Sequence, residues 1–338
     1  MVTLREVARE TGLSPATVSR VLRDSGPVSA KTRNLVLSTV ERLGYRPNSL
    51  AQGLRTGRST AVALVVSDIE QGWHASLTKH LQVSLEEIGI DLILMNLGHE
   101  LRRLDMVVER VQAMRLRGVI LAASDRIPPK QVKRVVGNLD KEVLIASIGQ
   151  RLDRYGIPSF VHSDTEAAEA AVEYLLQKGC SPVAFCSRIR TSTMGKERFQ
   201  GYLNAIERAG LAIDENLVWD YSDTSFFRQA AGYKMLNDAL DRGVKFKSVL
   251  AGSDEIALGA MAAVLDRGLR IPDDIAIIGF GGLDWGVSVR PRLTTLTSDL
   301  AGLSESVREF FLQQKNGAGG KPQMLTVFRR ELALRASA

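Results

Sequence analysis

Cysteine and histidine are scarce in this chain of 338 residues. There are only two cysteines, Cys180 and Cys186, and four histidines, and no spacing among them is typical of a metal site. Cys186 lies in an apparent buried strand, so we expect two reduced thiols and not a disulfide-stapled fold. We predict no metal and no cofactor.

Long apolar runs and a secretion leader are also missing. No stretch approaches the roughly 18 apolar residues that a membrane helix needs, and Met1 leads into structured-looking sequence without a charged and then apolar segment. We therefore expect a cytoplasmic protein without a membrane partner. The length, together with 45% hydrophobic and 6% aromatic residues, fits an α/β protein of two or three units.

Positive charge is concentrated at the beginning of the chain. The first sixty residues carry ten basic and four acidic side chains, whereas the remaining 278 residues carry 34 of each. A charge excess confined to one small unit favours a polyanion as its partner. A soluble basic domain without such a partner is the alternative at this stage.

Capping signals divide this basic segment into three short helices. Residues 3–6 form a capping-box sequence, and Gly12 suits a left-handed helix end. Ser14 begins a second helix with proline in its first turn, and Ser29 begins a third. The predicted core consists of eleven apolar side chains: Leu4, Val7, Ala8, Leu13, Val18, Val21, Leu22, Leu35, Val36, Val40 and Leu43. The pattern predicts an all-α helix-turn-helix domain over residues 1–46.

The second helix of such a motif usually enters the major groove of DNA, where its exposed side chains read base edges. The predicted base-reading residues are Pro15, Ala16, Ser19 and Arg20. Other polar side chains of the unit are expected to hold phosphates. The predicted phosphate contacts are Thr17, Lys31, Arg33 and Tyr45.

A weak helix-forming segment, residues 47–59, follows this domain. Helices of about eight residues are marginal alone in water, and Gly53 weakens this one further. Two such segments, ordered by each other and by DNA, would place Leu54 as a wedge in the minor groove with Ala51 and Arg55 beside it. Taken alone, the segment is typical of a plain linker.

The chain closely resembles the lactose-repressor and galactose-repressor (LacI/GalR) family of bacterial transcriptional regulators. Five stretches carry the resemblance: TLREVARETGLSPATVSRVL, VSAKTRNLV, LGYRPNSLAQGLRTGRS, DEIALGAMAAVLDRGLRIPDDIAIIGF and RPRLTTL. The resemblance implies a homodimer that binds a palindromic double-stranded DNA operator, with a small metabolite controlling affinity. It also implies that Pro15, Ala16 and Arg20 help to set the operator sequence and that Leu54 intercalates. Arg23 departs from the family's usual asparagine.

Beyond residue 60, apolar strand runs alternate with amphipathic helices, which is typical of doubly wound α/β folds. The resemblance implies a periplasmic-binding-protein-like α/β core of two doubly wound subdomains, crossed by three strands near residues 162, 292 and 322. We accordingly expect one subdomain to contain residues 60–162 with 293–322. The other would contain residues 163–292 with 323–338.

Ligands of such folds bind at the carboxyl ends of the strands, here in the cleft between the subdomains. The side chains expected there are Trp73, His74, Asp164, Arg190, Ser192, Arg198 and Asp254. The resemblance implies that Arg198 grips ligand hydroxyls or carboxylates. Asp254 has an alternative role as a cap of its own helix.

Two departures from the family pattern bear on the effector. Gly281 stands where the family usually has a hydroxyl-binding aspartate, and Ser253 stands in place of an asparagine. The lost carboxylate, with Arg190, Lys196 and Arg198 nearby, makes the cleft less hostile to an anion. The stretches GFGGLD and DTSFF also resemble the gluconate-type branch of the family. We expect a sugar acid or sugar phosphate ahead of a neutral sugar or a purine, acting as inducer or as corepressor.

Enzyme signatures are weak. No Gly-x-Ser-x-Gly elbow occurs, and no helical pattern follows the glycine-rich stretch at residues 279–286. We expect that the protein is not an enzyme. The alternative is a cytosolic sugar-binding or sugar-metabolising protein with an accessory DNA-binding arm, and the salt dependence of DNA binding would distinguish the two.

Overall fold

The computed structural model describes residues 2–22, 26–45, 59–98, 100–122, 127–222, 228–315 and 322–338. The chain divides into two compact units, Met1–Thr60 and Ala61–Ala338. None of the helices in these ranges is long and apolar enough to span a membrane.

The small unit consists of three helices: α1 (Leu4–Thr11), α2 (Pro15–Leu22) and α3 (Ala30–Leu43). The predicted capping box is confirmed, because Thr3 Oγ1 accepts a hydrogen bond from the Glu6 amide at 3.3 Å and the Glu6 carboxylate accepts one from the Thr3 amide at 2.6 Å. Gly12 ends α1 with a φ of +65°, a left-handed conformation that glycine adopts without steric cost. These caps fix where each helix starts and stops in the helix-turn-helix fold.

Five fully packed side chains form the centre of the small unit: Val7, Ala8, Val18, Val21 and Val36. All five belong to the predicted core. The prediction for Leu35 is wrong, because its side chain is 45% exposed. The buried residues of α3 are Val36 and Thr39, and one step along a helix turns a side chain by about 100°, away from that stripe.

The large unit contains two six-stranded sheets. The first is built from β1 (Val62–Val66), β2 (Leu92–Asn96), β3 (Gly118–Ala122), β4 (Leu144–Ile148), β5 (Ser159–His162) and β11 (Leu325–Phe328). Its order is β11-β5-β4-β3-β1-β2, and all neighbours are parallel. Burial on both faces explains why its central strands, such as β1 and β3, are continuous apolar runs.

Helices cover both faces of the first sheet. They are α4 (Gly72–Glu86), α5 (Leu101–Ala113), α6 (Pro129–Val136) and α11 (Leu300–Lys315). Ala63 and Val65 of β1 belong to the apolar cluster that contains α5 and α6, whereas Leu64 belongs to the cluster that contains α4 and α11. Successive strand residues point to opposite faces, so one strand contributes to both clusters.

The second sheet has the same layered construction. Its strands are β6 (Val183–Ser187), β7 (Val218–Asp220), β8 (Ser248–Ala251), β9 (Ala276–Gly281), β10 (Thr294–Thr297) and β12 (Leu332–Ala333). The order is β12-β10-β9-β8-β6-β7, and only the β10–β12 pair is antiparallel. One face is covered by α7 (Asp164–Gln177) and α8 (Thr193–Arg208), and the other by α9 (Arg228–Asp241) and α10 (Asp254–Asp266). The doubly wound, two-subdomain α/β core is therefore confirmed.

The chain crosses between the subdomains three times, and two crossings differ from their predicted positions. The first follows His162, as expected. Because β10 belongs to the second sheet and β11 to the first, the second crossing follows Thr297 and the third follows Phe328. The boundaries expected near residues 292 and 322 are corrected accordingly.

Burial explains the shift of the second boundary. Leu293, Thr294 and Thr295 are fully buried in the second subdomain, so the chain leaves that core only at the polar pair Ser298-Asp299. Two further elements, β7 and α11, are missing from the sequence prediction. In α11 the fully or nearly buried Leu303, Val307 and Phe311 recur every four residues, which is the helical signal in that segment.

Candidate functional site

The exposed side of α2 carries most of the predicted base-reading residues. Pro15, Ala16 and Arg20 are exposed together near one side of the helix. Ser19 is 6% exposed and lies beside the buried Val18, so its placement disagrees with a base-reading role. Ser19 differs from the other three residues because it lies on the side of α2 that packs into the core.

The predicted phosphate contacts are spread over the same unit. Lys31 is exposed, and Arg33 is half-buried. Thr17 is half-buried, and its hydroxyl lies 2.9 Å from that of Ser14. Tyr45 packs against the core. The predicted minor-groove residues lie outside the described part of the chain: Ala51, Leu54 and Arg55.

A cavity lies in the cleft between the two subdomains of the large unit. Gln71 of the first subdomain lines it together with residues of the second subdomain. Its lining residues are Gln71, Ser187, Arg188, Ser192, Met194, Gly195, Arg198, Tyr221, Arg228, Gly252 and Ser253. Three arginines and no carboxylate stand among these lining residues. The volume is about 60 Å³, and a water molecule needs about 10–15 Å³ on such a measure. The cavity thus has room for one anionic group or a few waters.

Two of the seven predicted effector residues line this cavity. Ser192 caps α8, because its hydroxyl accepts a hydrogen bond from the Gly195 amide at 3.1 Å. Arg198 lies one turn further along α8, and its Nη1 donates to the Gly252 carbonyl at 2.5 Å. The structure therefore brings together the residues that follow β6, as expected for the carboxyl end of a strand.

Trp73 and His74 are buried and do not line the cavity. Trp73 Nε1 donates to Ser298 Oγ at 3.2 Å. The His74 ring nitrogens lie 2.9 Å from the Asp68 carbonyl and 3.0 Å from the Ala122 carbonyl. Both rings therefore fasten the turn between β1 and α4 to its surroundings, and this placement does not support their predicted contact with a ligand.

Asp254 and Arg190 also lie outside the cavity. Asp254 is fully buried; its carboxylate accepts hydrogen bonds from the Leu283 amide at 2.8 Å and from the Thr295 hydroxyl. Burial raises its pKa above the usual aspartate value. Arg190 is 63% exposed and pairs with Asp220 at 2.7 Å. Asp254 is thus committed to the turn after β9, and Arg190 is committed to the loop beside β7.

A buried charged group lies where the three crossings meet; we call Asp164, Arg198, Ser298 and Arg330 the hinge cluster. The Asp164 carboxylate accepts hydrogen bonds from Arg198 Nε at 2.9 Å and from Arg330 Nε at 2.5 Å. The side chains of Asp164 and Arg330 are each 2% exposed. Burial alone would raise the pKa of Asp164, but the positive charges of Arg198 and Arg330 outweigh burial and hold that pKa at about 2.

Arg330 connects all three crossings, and sequence reasoning missed it. It lies in the third crossing, Asp164 follows the first, and Ser298, whose hydroxyl accepts from Arg330 Nη1, lies in the second. The guanidinium carbons of Arg198 and Arg330 lie 4.1 and 5.0 Å from the centre of the Phe280 ring, within cation–π range. The available signal was the arginine pair directly after the apolar strand β11.

Arg228 and Arg188 are cavity residues that the sequence interpretation also missed. Arg228, the first residue of α9, donates from Nη2 to Gln71 Oε1 at 3.0 Å, and its Nη1 lies 3.5 Å from Asp68 Oδ2. We call Arg228 and Asp68 the cleft-edge pair, because it joins the two subdomains by side chains alone. Arg188 lies over the Tyr221 ring at 4.8 Å and donates to the Ser222 carbonyl at 3.2 Å.

Two family descriptions match this chain. Residues 3–48 match the bacterial regulatory proteins of the lacI family, and residues 59–317 match the periplasmic binding proteins and sugar binding domain of the LacI family. The second match begins close to the boundary between the compact units, which lies after Thr60. Together they cover the helix-turn-helix unit and most of the α/β core.

Individual relatives agree with these matches. Catabolite control protein A of Priestia megaterium is 30% identical over 302 residues, covering 88% of each chain. The HTH-type transcriptional regulator GalR of Escherichia coli strain K12 is 28% identical and covers 100% of this chain and 96% of its own. Among solved structures, the lac repressor dimer bound to operator and the anti-inducer ONPF has a TM-score of 0.84 at 24% identity, with 99% of this chain and 98% of that chain covered. A transcriptional regulator CelR–cellobiose complex has a TM-score of 0.70 at 26% identity and covers both chains completely.

Proposed function

Because this chain belongs to the LacI family of bacterial transcription regulators, we propose that it is a repressor that binds a palindromic operator as a dimer. Its relatives are transcription regulators and not enzymes. A small metabolite bound in the cleft controls the affinity for the operator, and the protein acts in the cytoplasm.

One observation carries this proposal: a helix-turn-helix unit with an exposed recognition face and a cavity lined by three arginines belong to the same chain. Pro15, Ala16 and Arg20 are exposed on α2, where such residues reach base edges. Arg188, Arg198 and Arg228 line the cavity. The first feature suits a duplex as partner, and the second suits a small anion.

The effector that fits this cavity is a sugar acid or a sugar phosphate. The cluster of two guanidinium groups around one carboxylate leaves one net positive charge beside the cavity. Gly281, which replaces the family's usual aspartate, adds no carboxylate to oppose an anion. Arginine binds carboxylate and phosphate through paired donors, so both groups suit this lining.

Effector and operator are coupled through one free energy, typically about 1–3 kcal/mol in allosteric proteins. The segment at residues 47–59 connects the two units, and its predicted pairing in the minor groove gives the effector a step to control. An inducer would weaken the operator complex, and a corepressor would strengthen it. The same titration of operator with effector measures the sign.

The test uses the full chain and a library of random duplexes mixed with palindromes from the source genome. We expect Arg20→Ala to cost about 1–3 kcal/mol of sequence preference, because a long exposed side chain of α2 reads bases. Lys31→Ala should weaken binding to all duplexes alike and lower the salt slope by about one. Arg42→Ala, which removes an exposed arginine paired with Glu10, is the matched control.

Two results decide this proposal. Selection of a palindrome, together with a change of affinity on adding a sugar acid or sugar phosphate, supports it. Equal binding to palindromic and random duplexes, with and without these compounds, contradicts it.

A further inference from the structure

The geometry points to Arg188 and Arg228 as the residues that provide the charged partners for the anionic group of the effector. This inference rests on the proposed function, since it assumes a metabolite in the cleft. Its ligand is a carboxylate or phosphate group on a small molecule. On binding, that group replaces Asp68 as the charged partner of Arg228.

Arg198 already has a carboxylate as its charged partner. Its Nε and Nη2 lie 2.9 and 2.8 Å from Asp164 Oδ2, and its Nη1 donates to the Gly252 carbonyl at 2.5 Å. One face of the guanidinium covers Phe280 at 4.1 Å. Displacing Asp164, whose side chain is 2% exposed, would leave that carboxylate buried with fewer partners. Only the guanidinium N–H groups of Arg198 that do not face Asp164 or Gly252 are therefore available to a ligand.

Arg188 makes two contacts with uncharged groups in the described part of the chain. Its Nη1 donates to the Ser222 carbonyl at 3.2 Å, and its guanidinium lies over the Tyr221 ring. Both contacts position the group, and no ion pair within the described residues compensates its positive charge at the cavity wall. A carboxylate or phosphate provides the missing charge and accepts charge-assisted hydrogen bonds.

Arg228 has an acidic partner, but a weakly held one. The Nη1 to Asp68 Oδ2 distance is 3.5 Å, and the side chains are 23% and 28% exposed. Charge-assisted hydrogen bonds usually measure about 2.7–2.9 Å. A long, partly exposed pair of this kind contributes little, so a ligand anion within the cavity is a competitive partner for Arg228.

The size of the cavity links this exchange to opening of the cleft. Its volume of about 60 Å³ accommodates an anionic group and is far below the roughly 300–1,000 Å³ of ordinary ligand pockets. Arg228 contacts Asp68 and Gln71, both in the first subdomain. A complete sugar acid therefore enters only after these side-chain contacts separate, and its anionic group then remains between the two arginines.

The experiment is isothermal titration of the full chain with four anions and one neutral compound. The anions are D-gluconate, D-gluconate 6-phosphate, D-glucose 6-phosphate and inorganic phosphate, and the neutral compound is D-glucose. For the anion that the unaltered chain binds most tightly, Arg188→Gln and Arg228→Gln should each raise Kd by about tenfold or more. Arg228→Lys keeps the charge but loses the paired donors of the guanidinium, so its Kd should lie between those of Arg228→Gln and the unaltered chain.

Asp68→Asn gives the sharpest result, because the expected change has the opposite sign. Removing the competing carboxylate should lower Kd by about threefold, whereas a merely structural role for Asp68 predicts weaker binding. The matched control is Arg270→Gln, which removes an arginine that is 69% exposed and pairs with Asp273 and Asp274 away from the cavity. This control should leave Kd unchanged.

Three outcomes overturn the inference. They are unchanged anion affinity in both Arg188→Gln and Arg228→Gln, weaker binding in Asp68→Asn, and no binding of any of the four anions to the unaltered chain. Palindrome selection by the same samples is measured in parallel, with thermal unfolding as a check of folding. If a variant loses anion binding but still selects the palindrome, the result concerns the subsite. If the unaltered chain does not select a palindrome, the result concerns the proposed function.

Discussion

The hinge cluster and the cleft-edge pair are both contacts between arginine and aspartate, but they differ in burial and in distance. Asp164 and Arg330 are each 2% exposed and 2.5 Å apart, whereas Asp68 and Arg228 are about a quarter exposed and 3.5 Å apart. A buried charge without its partner is costly, and an exposed pair contributes little. The same chemistry thus serves as permanent scaffold in one place and as an exchangeable contact in the other.

The two regions also differ in what joins the subdomains there, which is the backbone in one case and side chains alone in the other. Three members of the hinge cluster, Asp164, Ser298 and Arg330, lie at the three chain crossings, where the backbone itself joins the subdomains. The cleft-edge pair joins the subdomains through side chains only. Because opening must separate one set of contacts and preserve the other, each mutation below is directed at one of the two regions.

The largest effect is expected for Asp164→Asn. This change removes the carboxylate between Arg198 and Arg330, so two guanidinium groups remain buried with no opposite charge between them. Breaking a buried pair typically costs about 3–5 kcal/mol of unfolding free energy. Urea unfolding measures this cost, and Glu166→Gln, an exposed change in the same helical turn, should stay within about 0.5 kcal/mol. A loss below about 1 kcal/mol for Asp164→Asn would remove the contrast between the two regions.

An intermediate effect is expected from pH, through His162. This residue is 6% exposed, its ring centre lies 6.3 Å from that of Trp73, and within the described residues its Nε2 has no hydrogen-bond partner. Burial, and then the charge of Arg330, lower its pKa from 6.5 to about 3. The folded state therefore binds fewer protons than the unfolded state, so stability present above about pH 6.5 is lost as the pH falls towards 3.

The measurement is the unfolding free energy between pH 7 and pH 4 for the unaltered chain and for His162→Phe. As the pH falls, the unfolding free energy of the variant should decrease less steeply than that of the unaltered chain, by up to about 1.4 kcal/mol per pH unit. Glu197 acts in the opposite direction, since burial and then the charge of Asp164 raise its pKa to about 7. Both proteins contain Glu197, so its contribution cancels when their unfolding free energies are subtracted. Asp164, with a pKa of about 2, loses its contribution only below this range, and His80→Phe is the control for loss of an exposed imidazole.

Local signals explain why the small unit was predictable. Capping by Thr3, Ser14 and Ser29 depends on neighbours within three residues, and the apolar stripes follow the helical period. In the core, alternation of strands and helices predicted the layers. The second crossing was misplaced because Thr294 and Thr295 are polar in type but buried in fact.

The site was less predictable because its contacts join distant parts of the chain. Trp73, His74 and Asp254 do lie at the carboxyl ends of strands, as expected, but tertiary contacts decide where such side chains point. Asp254 meets Thr295, 41 residues away, and Arg330 meets Asp164, 166 residues away. No local sequence pattern contains these pairings. The sequence therefore indicated where the site lies but not which residues line it.

The smallest effect on stability is expected for Asp68→Asn, although this variant has a definite effect on anion binding. An exposed pair is worth about 0.2–1 kcal/mol, and salt screens it because the Debye length falls from about 10 Å to about 3 Å between 0.1 and 1 M. The difference in unfolding free energy between this variant and the unaltered chain should therefore lie within about 1 kcal/mol at low salt and vanish at high salt. The deficit of Asp164→Asn should persist in the same salt, since solvent ions do not reach a side chain that is 2% exposed. A salt-resistant loss of several kcal/mol in Asp68→Asn would mean that the cleft edge is as permanent as the hinge, and the exchange of Asp68 for a ligand anion would then be ruled out.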